Sequence, residues 1–315
     1  MTWYQDPSNA GLIERLRELI ADQGRLLMFL GAGLSFGAAR LNGRARFDYD
    51  RSQRRPWWPD EPRLVSDDDG LPLPSWPWLV SRMYEELAVT ASENERDALA
   101  EFFSEEGPLD CAQLFRQTIG EANYREFLLR QFDSGRHQFV QVTPSHQALV
   151  ALRLQRLFTT NYDELIEAAY QKAGERLRVS ASEAQFTAHR RTVDAHLVKL
   201  HGSIDQPDTI VLTRSDYARI RLERRAMLDH LRSELADAAF LFVGFSLSDP
   251  NFNTIHDDLR VVYGMNMPAS YTVQGRRNTV KERYLRSLDV NTVWLNGWNE
   301  LPDFLTRINV HSEAG

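Results

Sequence analysis

The chain has 315 residues, 43% of them hydrophobic, and its 37 Lys and Arg residues against 44 Asp and Glu residues give a net charge of −7. This composition suits a globular domain with a sizeable core, and the negative balance argues against broad, nonspecific binding of nucleic acid. The single cysteine, Cys111, excludes an internal disulfide and a zinc site built from cysteines. Because the first residues lack the pattern of a signal peptide and no apolar run reaches the ~18 residues that span a bilayer, we expect a cytoplasmic protein with no membrane contact.

The first predicted elements are a helix, a buried strand and a glycine turn. Apolar residues between Leu12 and Ile20 recur at helical spacing, and Gly24 is expected to end that helix. The strand 26–30 then runs into a turn of small residues that opens a helical turn. Glycines let such a turn approach a phosphate, and unpaired amide groups of the first helical turn point at it. Taken alone, a turn of this kind is as often plain packing as an anion site.

A long insertion follows the glycine turn. Residues 40–70 contain many arginines, four aromatic residues and an acidic run without any sustained period, so we predict an irregular loop. Helical patterns come next, around 76–87, 96–103, 111–119 and 124–132. More than a hundred residues therefore separate the first strand from the second, which is too long for one βαβ crossover. We predict core segments at 1–39 and 141–315, with 40–140 as an insertion made of the loop 40–70 and a helical subdomain over 71–140.

The second half of the chain alternates between strands and helices. Apolar runs predict strands near 156–163, 196–200, 239–243, 271–273 and 293–295, with helices such as 144–154 and roughly 223–235 between them. Alternation of this kind predicts an α/β fold with a Rossmann-like parallel sheet and helices on both faces. Ligands of such sheets sit outside the carboxyl ends of the strands. Those ends carry the glycine turn, Asn161 and Asp163, His201, and the segment 244–246.

Four segments, in this order along the chain, resemble the sirtuin-like family and, more narrowly, the sirtuin-like domains of bacterial antiphage defence proteins. They are Gly31-Ala32-Gly33-Leu34-Ser35, Thr159-Thr160-Asn161-Tyr162-Asp163, Leu200-His201-Gly202-Ser203 and the segment from Val243 to Asn251. The resemblance implies that NAD+ binds across the sheet crevice as a substrate. It assigns Gly31, Ala32, Gly33 and Ser35 to the pyrophosphate and nearby ribose, Asp163 to the nicotinamide carboxamide, and Gly244 and Ser246 to the adenosine half. It also implies that Asn161 orders a water molecule or the ribose and that His201 is the catalytic base.

The function implied by this resemblance is NAD+ glycohydrolysis, with nicotinamide and ADP-ribose as products and NAD+ depletion in antiphage defence as the role. Two alternatives stay open: a non-catalytic module that senses NAD or ADP-ribose, and an NAD-dependent protein deacylase. The deacylase is less favoured, because sirtuin deacylases carry a four-cysteine zinc module that Cys111 alone cannot build, so we expect no zinc. Each site residue also has a structural reading, with Asn161 and Asp163 as helix caps and His201 as a turn histidine.

Control of such an activity is expected to come from assembly. An unregulated NAD hydrolase would drain its own cell, and the sequence shows no recognisable sensor segment. We therefore expect a homo-oligomer together with a separate partner protein, such as a sensor or an ATPase-type subunit, through which any nucleic acid would act only indirectly. The helical subdomain and the loop 40–70 are the predicted contact surfaces, with Trp57 and Trp58 as anchors.

Overall fold

The computed structural model describes residues 2–22, 25–35, 38, 73–74, 76–132, 142–247 and 249–311. The irregular loop predicted over 40–70, with Trp57 and Trp58, lies outside the described residues.

A single parallel sheet forms the centre of the described chain. Its strands are β1 (Leu26–Leu30), β2 (Arg156–Thr159), β3 (Leu177–Ser180), β4 (Ala195–Lys199), β5 (Ala239–Val243), β6 (Ser270–Gln274) and β7 (Val290–Trp294). Their order across the sheet is β3-β4-β2-β1-β5-β6-β7, and every adjacent pair is parallel. The central strands β1 and β5 are buried along their whole length, as expected for strands covered on both faces.

Helices cover both faces of this sheet. Their bounds are α1 (Pro7–Ala21), α2 (Trp76–Thr90), α3 (Glu93–Glu105), α4 (Pro108–Ile119), α5 (Glu121–Phe132), α6 (Pro144–Ala151), α7 (Leu165–Ala173), α8 (Glu183–His189), α9 (Arg214–Glu223), α10 (Arg225–Asp237), α11 (Pro250–Tyr263), α12 (Thr279–Ser287) and α13 (Leu301–Ile308). Along β1, Met28 and Leu30 join the core under α1, α6, α7 and α13, whereas Leu27 and Phe29 join the core under α10 and α11. The predicted α/β fold with helices on both faces is therefore confirmed. None of the helices among the described residues is long and apolar enough to cross a membrane.

The helices α2 to α5 share a third hydrophobic core of their own. Phe103, Phe115 and Phe127 lie at its centre and are completely buried. The same core includes Ile204 and Leu212, which belong to the segment that follows β4. The four helices predicted between the first two strands are thus present, and they pack against the segment that follows His201. The division into segments 1–39, 40–140 and 141–315 stays a prediction.

The crevice that positions the site opens between β1 and β5. The chain leaves β1 towards β2 on one side and leaves β5 towards β6 on the other, so the loops after these two strands diverge. Their first residues touch: the amide of Gly33 donates to the carbonyl oxygen of Gly244 at 2.9 Å. A Cβ atom on Gly33 would lie 2.6 Å from the Gly244 Cα atom, and Gly244 has a φ of +65°. Only glycines allow the two strand ends to come this close.

Candidate active site

Three buried polar side chains meet where β1 and β2 end. Ser35 closes the short helical turn after β1, and Asn161 and Asp163 lie in the loop between β2 and α7. The Ser35 hydroxyl donates to Asp163 Oδ2 at 3.0 Å, and Asn161 Nδ2 lies 3.4 Å from that hydroxyl and 3.2 Å from the Gly31 carbonyl oxygen, to both of which it donates. The structure therefore brings together three of the predicted residues, which follow two neighbouring strands.

The helix-cap interpretation is correct for one oxygen of Asp163. Asp163 Oδ1 accepts a hydrogen bond from the amide of Leu165, the first residue of α7, at 3.1 Å, and so stabilises the helix start. Its other oxygen faces Ser35, as described above. The Asn161 side chain is turned away from α7 and towards the β1 loop, while its backbone amide donates to Thr159 Oγ1 at 3.0 Å. Asn161 is thus not a helix cap.

The backbone amides of the glycine turn donate hydrogen bonds to neighbouring carbonyl oxygens. The amide of Gly31 donates to the Val243 carbonyl oxygen, and those of Gly33 and Leu34 donate to the carbonyl oxygens of Gly244 and Gly31. These three backbone donors are therefore engaged within the protein in this structure. The glycines serve the contact between the two strand ends, and the assignment of this turn to the pyrophosphate of NAD+ stays a prediction.

His146 belongs to this cluster although sequence reasoning did not name it as a site residue. It lies in the first turn of α6, completely buried, with Nε2 3.5 Å from the Ser35 hydroxyl and Nδ1 2.7 Å from Thr143 Oγ1. Burial lowers its pKa to about 4, against the opposing effect of Asp163, so the ring is neutral at neutral pH. The sequence feature that could have indicated this residue is the apolar helical pattern around it, which predicts a buried imidazole.

Lys199 supports the cluster from the end of β4. Its side chain is completely buried, and Nζ donates to the Asp163 carbonyl oxygen at 2.7 Å, to the Tyr162 carbonyl oxygen at 3.4 Å and to Glu167 Oε1 at 2.7 Å. Burial raises the pKa of Glu167, and the nearby Lys199 ammonium opposes that rise. A charged residue inside an apolar strand was the available sequence signal, because a lysine is rarely buried unless it is paired.

His201 follows β4 and is buried beside Tyr217 and Asp249. The His201 and Tyr217 rings meet edge to face with centroids 5.3 Å apart, and His201 Nε2 lies 3.3 Å from Asp249 Oδ2. Burial lowers the pKa of His201, Asp249 raises it, and Arg224 lowers it, with a net decrease. The imidazole is therefore neutral at neutral pH and able to accept a proton. Among the described residues, no hydrogen bond joins it to the Ser35 cluster.

Arg224 holds the turn that carries His201. It lies between α9 and α10, where its backbone leaves helical geometry, and α10 is the helix that the sequence predicted near 223–235. Its buried guanidinium donates to the backbone carbonyl oxygens of Leu200 and Thr209, and burial lowers its pKa to about 10, so it stays charged at neutral pH. The Thr209 carbonyl in turn lies against Gly202, where an added Cβ atom would come within 2.1 Å and φ is +85°.

The remaining predicted residues, Gly244 and Ser246, follow β5 on the opposite side of the crevice. Gly244 packs on the glycine turn, as described above, and Ser246 is exposed. Within the described parts of the chain, no three His, Cys, Asp or Glu side chains are grouped so that they could hold a metal ion.

Comparison with known proteins agrees with this architecture. A family model described as a SIR2-like domain matches residues 155–293, which span β2 to β7 and include Asn161, Asp163, His201 and Asp249. This part of the chain is therefore similar to the SIR2-like domain family. A relative from Enterococcus faecium named NAD(+) hydrolase ThsA is 28% identical over 281 residues, covering 88% of this chain and 48% of the relative.

Two further relatives are similar to this chain: one is also named ThsA, and the other is a defence-associated sirtuin. NAD(+) hydrolase ThsA from Bacillus cereus (strain MSX-D12) is 26% identical over 252 residues, covering 74% of this chain and 50% of the relative. Defense-associated sirtuin 2 from Bacillus subtilis is 26% identical over 189 residues, covering 58% of this chain and 17% of the relative. The chain therefore spans about half the length of these two ThsA proteins.

Proposed function

We propose that this sirtuin-like chain hydrolyses the N-glycosidic bond of NAD+, giving nicotinamide and ADP-ribose. The observation that supports this most is the burial of Ser35, Asn161, Asp163 and His201 at the ends of three neighbouring strands. Four polar side chains are costly to bury together unless they serve a ligand or hold one another in place. The names of the relatives supply the reaction.

Hydrolysis of the N-glycosidic bond requires mainly that the protein positions NAD+ and transfers a proton. Nicotinamide leaves as a neutral molecule, and the ribose carbon that it leaves develops oxocarbenium character, so the protein must hold the ring and direct a water molecule. Asn161 Nδ2 is fixed by two hydrogen bonds, and Oδ1 of the same amide accepts none among the described residues. That oxygen is the acceptor we assign to the water or the ribose, and the neutral His201 ring is the base that takes the proton.

The test is nicotinamide release from NAD+ by the purified full chain, followed chromatographically across protein concentrations. His201→Gln and Asn161→Ala should lower kcat on the order of 10²–10⁴-fold while NAD+ affinity stays within a few-fold, because each removes an interaction needed mainly in the transition state. His311→Gln is the matched control, since His311 lies beside the amino ends of β1 and β2.

Two outcomes would contradict this proposal. NAD+ binding without nicotinamide release at any protein concentration would instead favour the sensing module. Release that requires an acyl-lysine peptide would favour the deacylase.

We further propose that the protein acts in the cytoplasm as the NAD-depleting effector of an antiphage system and becomes active on assembly with itself or with a separate partner protein. The name of the Bacillus subtilis relative supports the defence role. The test compares specific activity with the mass of the particle measured by light scattering. A dilute monomer that hydrolyses NAD+ at the full rate would contradict control by assembly.

A further inference from the structure

The carboxylate of Asp249 contacts three different elements at once. Oδ1 accepts from the amide of Phe252 at 2.8 Å, which caps the start of α11. Oδ2 accepts from the hydroxyl of Tyr217, in α9, at 2.9 Å and lies 3.3 Å from His201 Nε2. A helix cap needs only the first of these contacts. The second oxygen is therefore placed for something other than capping.

We propose that Asp249 is a positioning residue that orients the His201 imidazole for proton transfer and is itself held in place by Tyr217. This inference rests on the proposed role of His201 as the base. A carboxylate facing Nε2 favours the tautomer with its proton on Nε2, which leaves Nδ1 as the basic nitrogen. Among the described residues, Nδ1 has no hydrogen-bond partner, so it is available to a water molecule or a ribose hydroxyl.

The charges around His201 fit this arrangement. Asp249 is the acidic group facing the ring, Arg224 is the cation, and Tyr217 is a neutral donor because burial raises its pKa. Asp249 raises the pKa of His201, whereas burial and Arg224 lower it. Removing the carboxylate charge must therefore lower the pKa of His201 further. Loss of activity on acidification should then occur at a lower pH than in the wild type.

Asp249→Asn is the informative substitution, because asparagine keeps the shape and the acceptor that caps α11 but loses the charge. We expect kcat to fall on the order of 10²-fold with KM within about threefold, and the acidic limb of the pH–rate profile to move to lower pH. Tyr217→Phe should lower kcat by a smaller factor, because Asp249 then loses the hydroxyl that holds it in place. Asp6→Asn is the matched control, since Asp6 also caps a helix and also has a second partner, Arg277.

A second readout does not depend on turnover. The His201 ring is titrated by NMR in the ligand-free protein, with its signals assigned by their loss in His201→Gln, and Asp249→Asn should lower the midpoint. An unchanged midpoint, or an equal loss of kcat in Asp6→Asn, would overturn the positioning role. A lowered midpoint in a protein that releases no nicotinamide would confirm the interaction of Asp249 with the His201 ring but remove the proposed function, and with it the role in proton transfer.

Discussion

Lys199→Met tests how the buried ammonium supports the site. Methionine keeps most of the side-chain length but removes the charge and the hydrogen bonds to the Asp163 carbonyl oxygen and to Glu167 Oε1. Glu167 Oε2 already has no hydrogen-bond partner among the described residues, so the buried carboxylate of the variant would lack both the hydrogen bond and the positive charge that Lys199 provides. Breaking a buried ion pair from one side costs about 3 kcal/mol, and we expect a loss of this size in the free energy of unfolding.

The double variant Lys199→Met with Glu167→Leu separates stability from positioning. Replacing a buried pair by apolar side chains is often close to neutral, so the double variant should recover to within about 1 kcal/mol of the wild type. The kcat for NAD+ should be low in Lys199→Met and should stay low in the double variant, because both lack the ammonium that donates to the Asp163 carbonyl oxygen. Urea unfolding and nicotinamide release measure the two effects on the same preparations. Recovery of activity along with stability would refute the reasoning.

The effect of Lys199→Met should also depend on pH. Burial already raises the pKa of Glu167, and loss of the ammonium that lowers it must raise it further. A carboxyl group whose pKa is raised in the folded state favours folding at low pH, and this contribution is lost as the pH rises through the folded-state pKa. The deficit of the variant relative to the wild type should therefore be smaller at about pH 5 than at about pH 8. An equal deficit at both would count against a charged Glu167 as the cause.

Three further substitutions probe the packing and burial of the site. Gly33→Ala should lower the free energy of unfolding by about 2 kcal/mol or more, because its Cβ atom would meet backbone 2.6 Å away, whereas Gly11→Ala, with open space in α1, should raise it by about 0.5–1 kcal/mol in the same thermal melts. As the pH falls from 6.5 to 4, His146 should cost the wild type up to about 3 kcal/mol in the free energy of unfolding, because burial lowers the pKa of His146 to about 4 and the unfolded chain binds the proton first. This pH-dependent loss should be absent in His146→Gln. Asn161→Asp should unfold more easily than Asn161→Ala at about pH 8, because it sets a carboxylate against the Gly31 carbonyl oxygen. A smaller difference in stability between the two variants at about pH 5 would confirm the charge as the cause.

The sequence predicted the strands with strong apolar runs and missed the weakest one. Strand β3 (Leu177–Ser180) has four residues at the edge of the sheet, and its second residue is exposed. Four residues are too few to show a period, and the strand is stabilised by its pairing with β4, which no local pattern reveals. Helix α8 (Glu183–His189) was missed for the same reason, since its seven residues make only two turns.

The sequence predicted the site residues that directly follow a strand, but not those that tertiary packing brings to the site from other parts of the chain. Asn161, Asp163 and His201 follow their strands directly, so topology alone placed them at one edge of the sheet. Asp249 and Arg224 are separated from His201 by 48 and 23 residues of sequence, and their contacts depend on how α9 and α11 pack. No spacing rule connects such residues, because their proximity is a property of tertiary packing.

The loop after β5 links the two halves of the crevice. Gly244, at its start, fixes the approach of β5 to the glycine turn, and Asp249, at its end, contacts His201 on the far side of β1 and β2. Only four residues lie between Gly244 and Asp249, so we expect a substitution between these positions to move both ends of the loop. Nucleotide affinity and proton transfer should therefore change together for variants in the middle of this loop, whereas Asp249→Asn, which keeps the cap, should change the proton transfer alone.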